Sequence, residues 1–141
     1  MKFILTDKEN IAEENTIIDS LWKHNSNFTT VDMHPLRVTL MDNENIVGGL
    51  IARTWWGGLD IQYLWIAENY RKKGFGKDLM NKAENEAIKR KCHMAYVDTF
   101  DFQAVNFYKK LGYKEYGHLD KFAHCYTRYY LSKPLKSTDV C

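Results

Sequence analysis

The sequence predicts an α/β (α+β mixed) fold, with a central mixed, mostly antiparallel sheet of about six or seven strands flanked by helices. Two pairs of apolar runs flank turn-forming clusters, as the strands of β-hairpins do. Residues 74–91 carry apolar side chains at helical spacing, with lysine and glutamate between them. Strand-like segments precede and follow this helix, which indicates a central strand–helix–strand unit.

The N-terminal half predicts one helix and four strands. Residues 2–6 predict a strand, and Asp7 is placed to cap the helix, which ends before a polar loop over residues 24–35. Residues 36–41 and 46–52 flank a turn cluster and predict a hairpin, and a second turn at 55–58 leads into a strand over 59–67. The apolar residues of the helix are Ile11, Ile17, Ile18, Leu21 and Trp22.

The C-terminal half predicts two helices and three strands. The long helix is expected to bury one apolar stripe against the sheet. A strand over residues 93–100 follows, then a short helix over 103–111 that Gly112 ends, and then a closing strand pair at 113–119 and 125–131. The apolar stripe consists of Phe75, Leu79, Met80, Ala83, Ala87 and Ile88.

Composition limits the classes of partner. A chain of 141 residues with 45% hydrophobic residues can bury one core. Twenty basic and eighteen acidic residues leave a net charge of +2, too small to indicate a nucleic-acid or membrane partner. Three widely spaced cysteines indicate reduced thiols in a cytoplasmic protein, and no apolar run has the length of a signal peptide or membrane span.

A basic, glycine-containing segment leads into the long helix. It runs Arg71-Lys72-Lys73-Gly74-Phe75-Gly76. A glycine turn before a helix exposes backbone N–H groups, and the helix dipole adds positive charge, so the segment predicts an anion cradle. A dinucleotide fold would need a third glycine where Leu79 stands, and a P-loop would need Ser or Thr where Asp78 stands, so the spacing excludes both.

The pattern Arg71-x-x-Gly74-x-Gly76 resembles the pyrophosphate-binding motif of the GNAT superfamily of acetyl-CoA-dependent N-acetyltransferases. The segment 106–113, NFYKKLGY, resembles the second signature of that family. The resemblance implies a GNAT-like domain at residues 1–133 with a tail at 134–141. It also implies an enzyme that transfers the acetyl group of its co-substrate, acetyl-CoA, by direct attack of a primary amine of a small molecule.

The same resemblance implies where acetyl-CoA binds. The cofactor would lie between the strand that ends near Ala67 and the strand that begins near His93. The backbone of Leu64, Trp65 and Ile66 would contact the pantetheine arm. The pyrophosphate would lie against Arg71, Lys72, Lys73, Gly74, Phe75, Gly76 and Lys77.

Amine acetylation needs a neutral amine and a proton for the departing thiolate. Tyr108 matches the tyrosine of the family, and a phenol that is protonated at neutral pH can serve as the acid. The base stays open between Asp60, Glu68 and a water chain. The neighbours Cys92-His93 and His124-Cys125 face opposite ways on a strand, so no metal site is expected.

We expect three segments to bind the acceptor and select it: the loop over residues 24–33, the Trp55-Trp56 turn and residues 121–126. Their aromatic side chains suit an amine of some apolar bulk or a cation over a ring face. Both tryptophans could equally be buried in the core or between the subunits of a homodimer. A protein or peptide N-acetyltransferase and a non-catalytic acyl-CoA-binding regulator are the alternatives to a small-molecule enzyme.

Overall fold

The computed structural model describes residues 1–136. The chain divides into two units, Met1–Val31 and Asp32–Cys141. In the first unit, helix α1 spans Ile11–Asn25, and the Asn10 side chain caps it by accepting from the Glu13 N–H at 3.1 Å. The cap is therefore Asn10 and not the predicted Asp7.

The predicted strand over residues 2–6 is wrong, because these residues form no regular element. A strand is stable only when a neighbour pairs with its backbone. Within the unit Met1–Val31, the described residues form only one helix, so this segment has no strand to pair with there. Its Phe3 and Leu5 side chains are exposed.

The second unit holds a six-stranded sheet, which confirms the mixed α/β fold class. The strand order is β1-β2-β3-β4-β6-β5. Neighbouring strands are antiparallel except β3 and β4, which are parallel. The helices of this unit are α2 at Phe75–Lys89 and α3 at Val105–Lys110, with a 3₁₀ turn at Glu68–Tyr70; the strands are β1 His34–Asp42, β2 Asn45–Trp55, β3 Gly58–Ile66, β4 Met94–Phe100, β5 Lys114–Phe122 and β6 Tyr126–Pro134.

Helix α2 packs its apolar stripe on the sheet as the sequence predicts. The four central residues of the stripe are buried, while Phe75 and Ile88 are half-buried. Glu84 is also buried, because its carboxylate accepts from Lys133 Nζ at 2.7 Å and from the Tyr113 hydroxyl at 2.9 Å. The fully paired carboxylate can lie in the core at little cost.

The fold continues past residue 133. Strand β6 ends at Pro134, and the Leu135 N–H donates to the His93 carbonyl at 2.8 Å. Of the tail predicted at 134–141, residues 137–141 lie outside the described residues, and so does Cys141.

Cys92 is a buried free thiol and Cys125 an exposed one. Within the described part of the chain, no helix has the length and apolarity needed to cross a membrane.

Candidate active site

The central feature of the site is a gap between the two parallel strands. β3 and β4 pair only over Gly58–Ile61 and Met94–Val97. Beyond these pairs β3 continues beside β2 and β4 continues beside β6, so each strand has one backbone edge facing the gap. Unpaired backbone N–H and C=O groups need partners, so such an edge is suited to bind the amides of a ligand.

A β-bulge lies where the gap opens. Ile51 of β2 pairs with Tyr63, but the next residue, Ala52, pairs with Ile61, which leaves Gln62 as the extra residue of β3. A bulge bends its strand and increases the local twist. The bend directly follows the last β3–β4 pair, at Ile61, and it explains why the two strands part there.

The gap forms a cavity of about 200 Å³. Two of the residues predicted to contact the pantetheine arm, Leu64 and Trp65, line it, and so does Tyr108, whereas Ile66 does not. The sequence analysis missed the polar part of the lining. That part consists of Gln62, Asp98, Thr99 and Gln103.

Hydrogen bonds hold the connection between β4 and α3 at the cavity. The Gln103 side-chain oxygen accepts from the Phe100 N–H at 2.9 Å and from the Thr99 hydroxyl at 3.2 Å. The Thr99 hydroxyl oxygen accepts in turn from the Ala104 N–H at 3.4 Å. These bonds fix the start of α3, and thereby the position of Tyr108. The only sequence signal for them was a Thr near the end of a strand and a Gln four residues later.

Among the ionisable side chains that line the cavity, Tyr108 has the most clearly shifted pKa. The residue is 5% exposed and packs edge-on against the rings of Phe107 and Tyr113. Burial, and then the negative charge of Asp98, raise the pKa of Tyr108 to about 12. The phenol therefore stays protonated at neutral pH and can donate a hydrogen bond into the cavity.

The cradle has the backbone that the glycine pattern predicts. Gly74 precedes α2 with φ of 85°, in the left-handed region that glycine adopts without strain, and no side chain caps the helix. The Asp78 N–H makes the first helical bond, to the Gly74 carbonyl at 3.1 Å. The N–H groups of residues 75–77 precede it and have no partner within the helix, so they can bind an anion.

Gly76 allows α2 to approach α3 closely. A Cβ atom at residue 76 would lie 3.2 Å from the Phe107 ring, tighter than nine in ten real contacts. Phe107 precedes Tyr108 in the chain and stacks edge-on against it. The second glycine therefore places the start of the cradle helix beside the helix that carries Tyr108.

Exposed cations surround the cradle. Arg71, Lys72, Lys73 and Lys77 are all exposed. Arg71 Nε donates to the Ile66 carbonyl at 2.9 Å, which ties the cradle to the end of β3, and Lys73 Nζ lies 5.9 Å from the centre of the Tyr70 ring. Positive side chains beside N–H groups that have no helical partner favour a polyanionic group such as a pyrophosphate.

The two predicted base candidates lie outside the cavity lining. Asp60 lies in the paired part of β3, opposite Tyr96 in the register. Its Oδ2 accepts from Arg53 Nε at 2.9 Å. Glu68 is exposed in the 3₁₀ turn between β3 and the cradle. In the described part of the chain, no three His, Cys, Asp or Glu side chains are grouped as a metal site.

The profile of the acetyltransferase (GNAT) family matches residues 5–113, more than half of the chain. The chain belongs to the GNAT family. It is therefore an acyltransferase, and its co-substrate is acetyl-CoA.

Relatives agree with the GNAT assignment. The chain is 35% identical to the acetyltransferase Atu2258 of Agrobacterium fabrum, over 84% of this chain and 88% of that protein. It is 36% identical to the blasticidin-S acetyltransferase of Streptomyces morookaense, over 49% of this chain and 52% of that protein. The crystal structure of an acetyltransferase from Agrobacterium tumefaciens has a TM-score of 0.91 and 31% identity, covering 96% of this chain and all of that one (100%).

Proposed function

We propose that the protein acetylates a primary amine of a small molecule by direct attack on the thioester of acetyl-CoA. The observation that carries the proposal is the cavity between β3 and β4, which Tyr108 lines together with Leu64 and Trp65 of the strand that leads to the cradle. The pyrophosphate would bind the cradle, and the pantetheine arm would follow the edge of β3 at Leu64 and Trp65 towards Ile66, whose carbonyl accepts from Arg71 Nε. This path brings the thioester to Tyr108.

The reaction must remove one proton from the amine nitrogen and stabilise the negative charge that develops on the departing sulfur. The neutral amine nitrogen attacks the carbonyl carbon and forms the N–C bond, the C–S bond breaks, and the electron pair leaves on sulfur. Tyr108 would donate a hydrogen bond to the departing thiolate. Because the pKa of Tyr108 is about 12 and a thiol has a pKa near 8.5, the phenol stabilises the thiolate without giving up its proton.

The base that frees the amine stays a proposal among Asp60, Glu68 and water. Asp60 already accepts from Arg53, so an incoming ammonium group would share this carboxylate with a guanidinium group. Glu68 is exposed and reachable from solvent. A primary amine that enters as the free base needs neither residue, and a water chain would then carry the proton away.

The relative that acts on blasticidin S supports a small-molecule acceptor. A protein or peptide acceptor is the second candidate, and a regulator that binds acyl-CoA without turnover is the third. An amine-library screen that detects the free thiol of coenzyme A separates all three. Turnover with small amines is expected. Turnover with peptides alone would show that the acceptor is a protein or peptide and not a small molecule. Cofactor binding without thiol release from any amine would favour the regulator.

A further inference from the structure

A larger cavity lies at the other end of the parallel strand pair. Its volume is about 580 Å³, within the range of roughly 300–1,000 Å³ typical of small-molecule sites. Four of its six lining residues are aromatic. The lining consists of Trp55, Trp56, Met94, Tyr96, Tyr116 and Ser132.

Neighbouring strands hold the walls of this aromatic cavity in place. The rings of Trp55 and Trp56 stack with centroids 5.4 Å apart, and Trp55 Nε1 donates to the Tyr96 hydroxyl at 2.6 Å. Tyr96 pairs with Ser132 across β4 and β6. A site built on strands and fixed by such a bond is already formed before a ligand arrives.

Trp56 is an unusual residue for its backbone position. Its φ is 48°, in the left-handed region, and Gly57 follows at 80°. A two-residue hairpin turn with both φ values positive prefers Asn-Gly, and a bulky residue is rare at the first position. The backbone disfavours a tryptophan here, which points to a function for its ring, and the residue is 37% exposed.

The aromatic cavity and the gap cavity share strand β4. Alternate residues of a strand point to the same face, so Tyr96 of the aromatic cavity and Asp98 of the gap cavity lie on one face. A strand rises about 3.3–3.4 Å per residue, so the two residues Tyr96 and Asp98 lie about 7 Å apart along β4. A ligand of moderate length can therefore occupy the aromatic cavity at one end and reach the thioester at the other.

Two aspartates of the strands that carry the two cavities are already paired. Asp60 lies 2.9 Å from Arg53, and Asp98 lies 2.8 Å from Arg128 Nη2. The lining itself offers ring faces, a thioether and hydroxyl groups. This chemistry favours an uncharged planar ring over a polycation.

We infer that the aromatic cavity binds the ring of an acceptor whose primary amine is separated from that ring by about 7–10 Å. This inference rests on the proposed function, because the amine must reach the gap cavity. It names the substrate class: an aryl or heteroaryl body joined by a flexible chain to a primary amine.

Three amines test the inference with the intact protein and acetyl-CoA. Phenylhexylamine carries the ring on a long chain, hexylamine lacks the ring, and benzylamine holds the ring close to the nitrogen. Thiol release should give phenylhexylamine a kcat/KM at least about tenfold above both others, the gain expected when an aromatic ring is buried. Equal values for phenylhexylamine and hexylamine would overturn the inference.

The variant Trp56→Asn removes the ring and suits the turn. Asparagine tolerates positive φ, so the melting temperature should stay equal or rise. The preference for phenylhexylamine over hexylamine should fall to near one. The control Leu119→Asn alters a residue that is 53% exposed on β5 and lines neither cavity, and it should keep the preference. A preference that survives in Trp56→Asn would refute the assignment.

Calorimetry on the protein saturated with coenzyme A measures amine binding without turnover. Phenylhexylamine should bind wild type at least about tenfold more tightly than Trp56→Asn. If acetyl-CoA released no thiol with any amine while this difference in affinity persisted, the proposed function would be wrong and the binding site for the ring would be supported. If amines turned over while both proteins bound phenylhexylamine equally, the ring site alone would fail.

Discussion

Replacing Tyr108 by phenylalanine removes one hydroxyl group and leaves the buried ring in place. The ring contacts with Phe107 and Tyr113 do not involve the hydroxyl, so folding stability should change by less than about 1 kcal/mol. Affinity for acetyl-CoA should also be retained, because the proposed phosphate contacts involve the cradle and not Tyr108. The expected loss is in kcat alone.

The size of that loss follows from the pKa of Tyr108. An acid matched to its reaction contributes about 10²–10⁴-fold, but burial raises the pKa of this phenol to about 12, far above that of a thiol. Hydrogen bonding to the thiolate is then the main contribution. A hydrogen bond to a charged acceptor is worth about 1.5–3 kcal/mol, which corresponds to a decrease of about 10–150-fold in kcat.

The assay is thiol release under saturating acetyl-CoA and an accepted amine. Tyr113→Phe is the matched control: it also removes one buried tyrosine hydroxyl, but that hydroxyl donates to Glu84 and does not line the cavity. The control should lose about 1 kcal/mol of stability and keep kcat. An acetyl donor whose thiol is more acidic should reduce the loss in Tyr108→Phe.

Two results would refute the role of Tyr108. Wild-type kcat in Tyr108→Phe would mean that the thiolate leaves without help. An equal loss in Tyr113→Phe would mean that packing of the aromatic cluster, and not the hydroxyl at the cavity, sets the rate.

Three further outcomes are expected. Acetyl-CoA should raise the melting temperature while ATP and NADH do not, and its affinity should fall with added salt because exposed cations surround the cradle; equal stabilisation by ATP would contradict this. Gly74→Ala should cost about 1–2 kcal/mol because φ is 85°, whereas Gly117→Ala, also into open space but without positive φ, should change stability by less than about 0.5 kcal/mol in urea unfolding. Burial, then the charge of Glu84 and the hydrogen bond to it, raise the pKa of Tyr113 well above 10, so its stabilisation is complete below pH 10 and is lost as the pH rises above 10. Tyr113→Phe should therefore lower the alkaline slope of the unfolding free energy by about 1.4 kcal/mol per pH unit, and an unchanged slope would contradict the shift.

Local patterns predicted most of the second unit. Alternating apolar residues and turn clusters gave both hairpins, and the apolar stripe of α2 gave the face that packs on the sheet. The glycine spacing predicted the turn before α2, since Gly74 has the positive φ that favours glycine and the helix begins at the next residue. Such features depend on neighbours in the chain, so a single sequence contains them.

Apart from the helix cap at Asp7, the features that the sequence did not predict depend on a partner elsewhere in the chain. Residues 2–6 have the apolar content of a strand, but a strand forms only where another strand can pair with it. Glu84 falls among the charged residues of a helix, and only the contacts with Lys133 and Tyr113 make its burial tolerable.

The sequence by itself determined the order of most elements and the glycine turn before α2, because these follow from periodicity and glycine conformation, and the family resemblance pointed to the tyrosine that lines the cavity. The tertiary structure decided where β3 parts from β4, which depends on a one-residue offset at Gln62 in its pairing with β2. It also decided that Asp60 pairs with Arg53 and that Trp55 meets Tyr96, forty-one residues away. Pairing registers and long-range contacts are properties of two segments together, so neither segment encodes them alone.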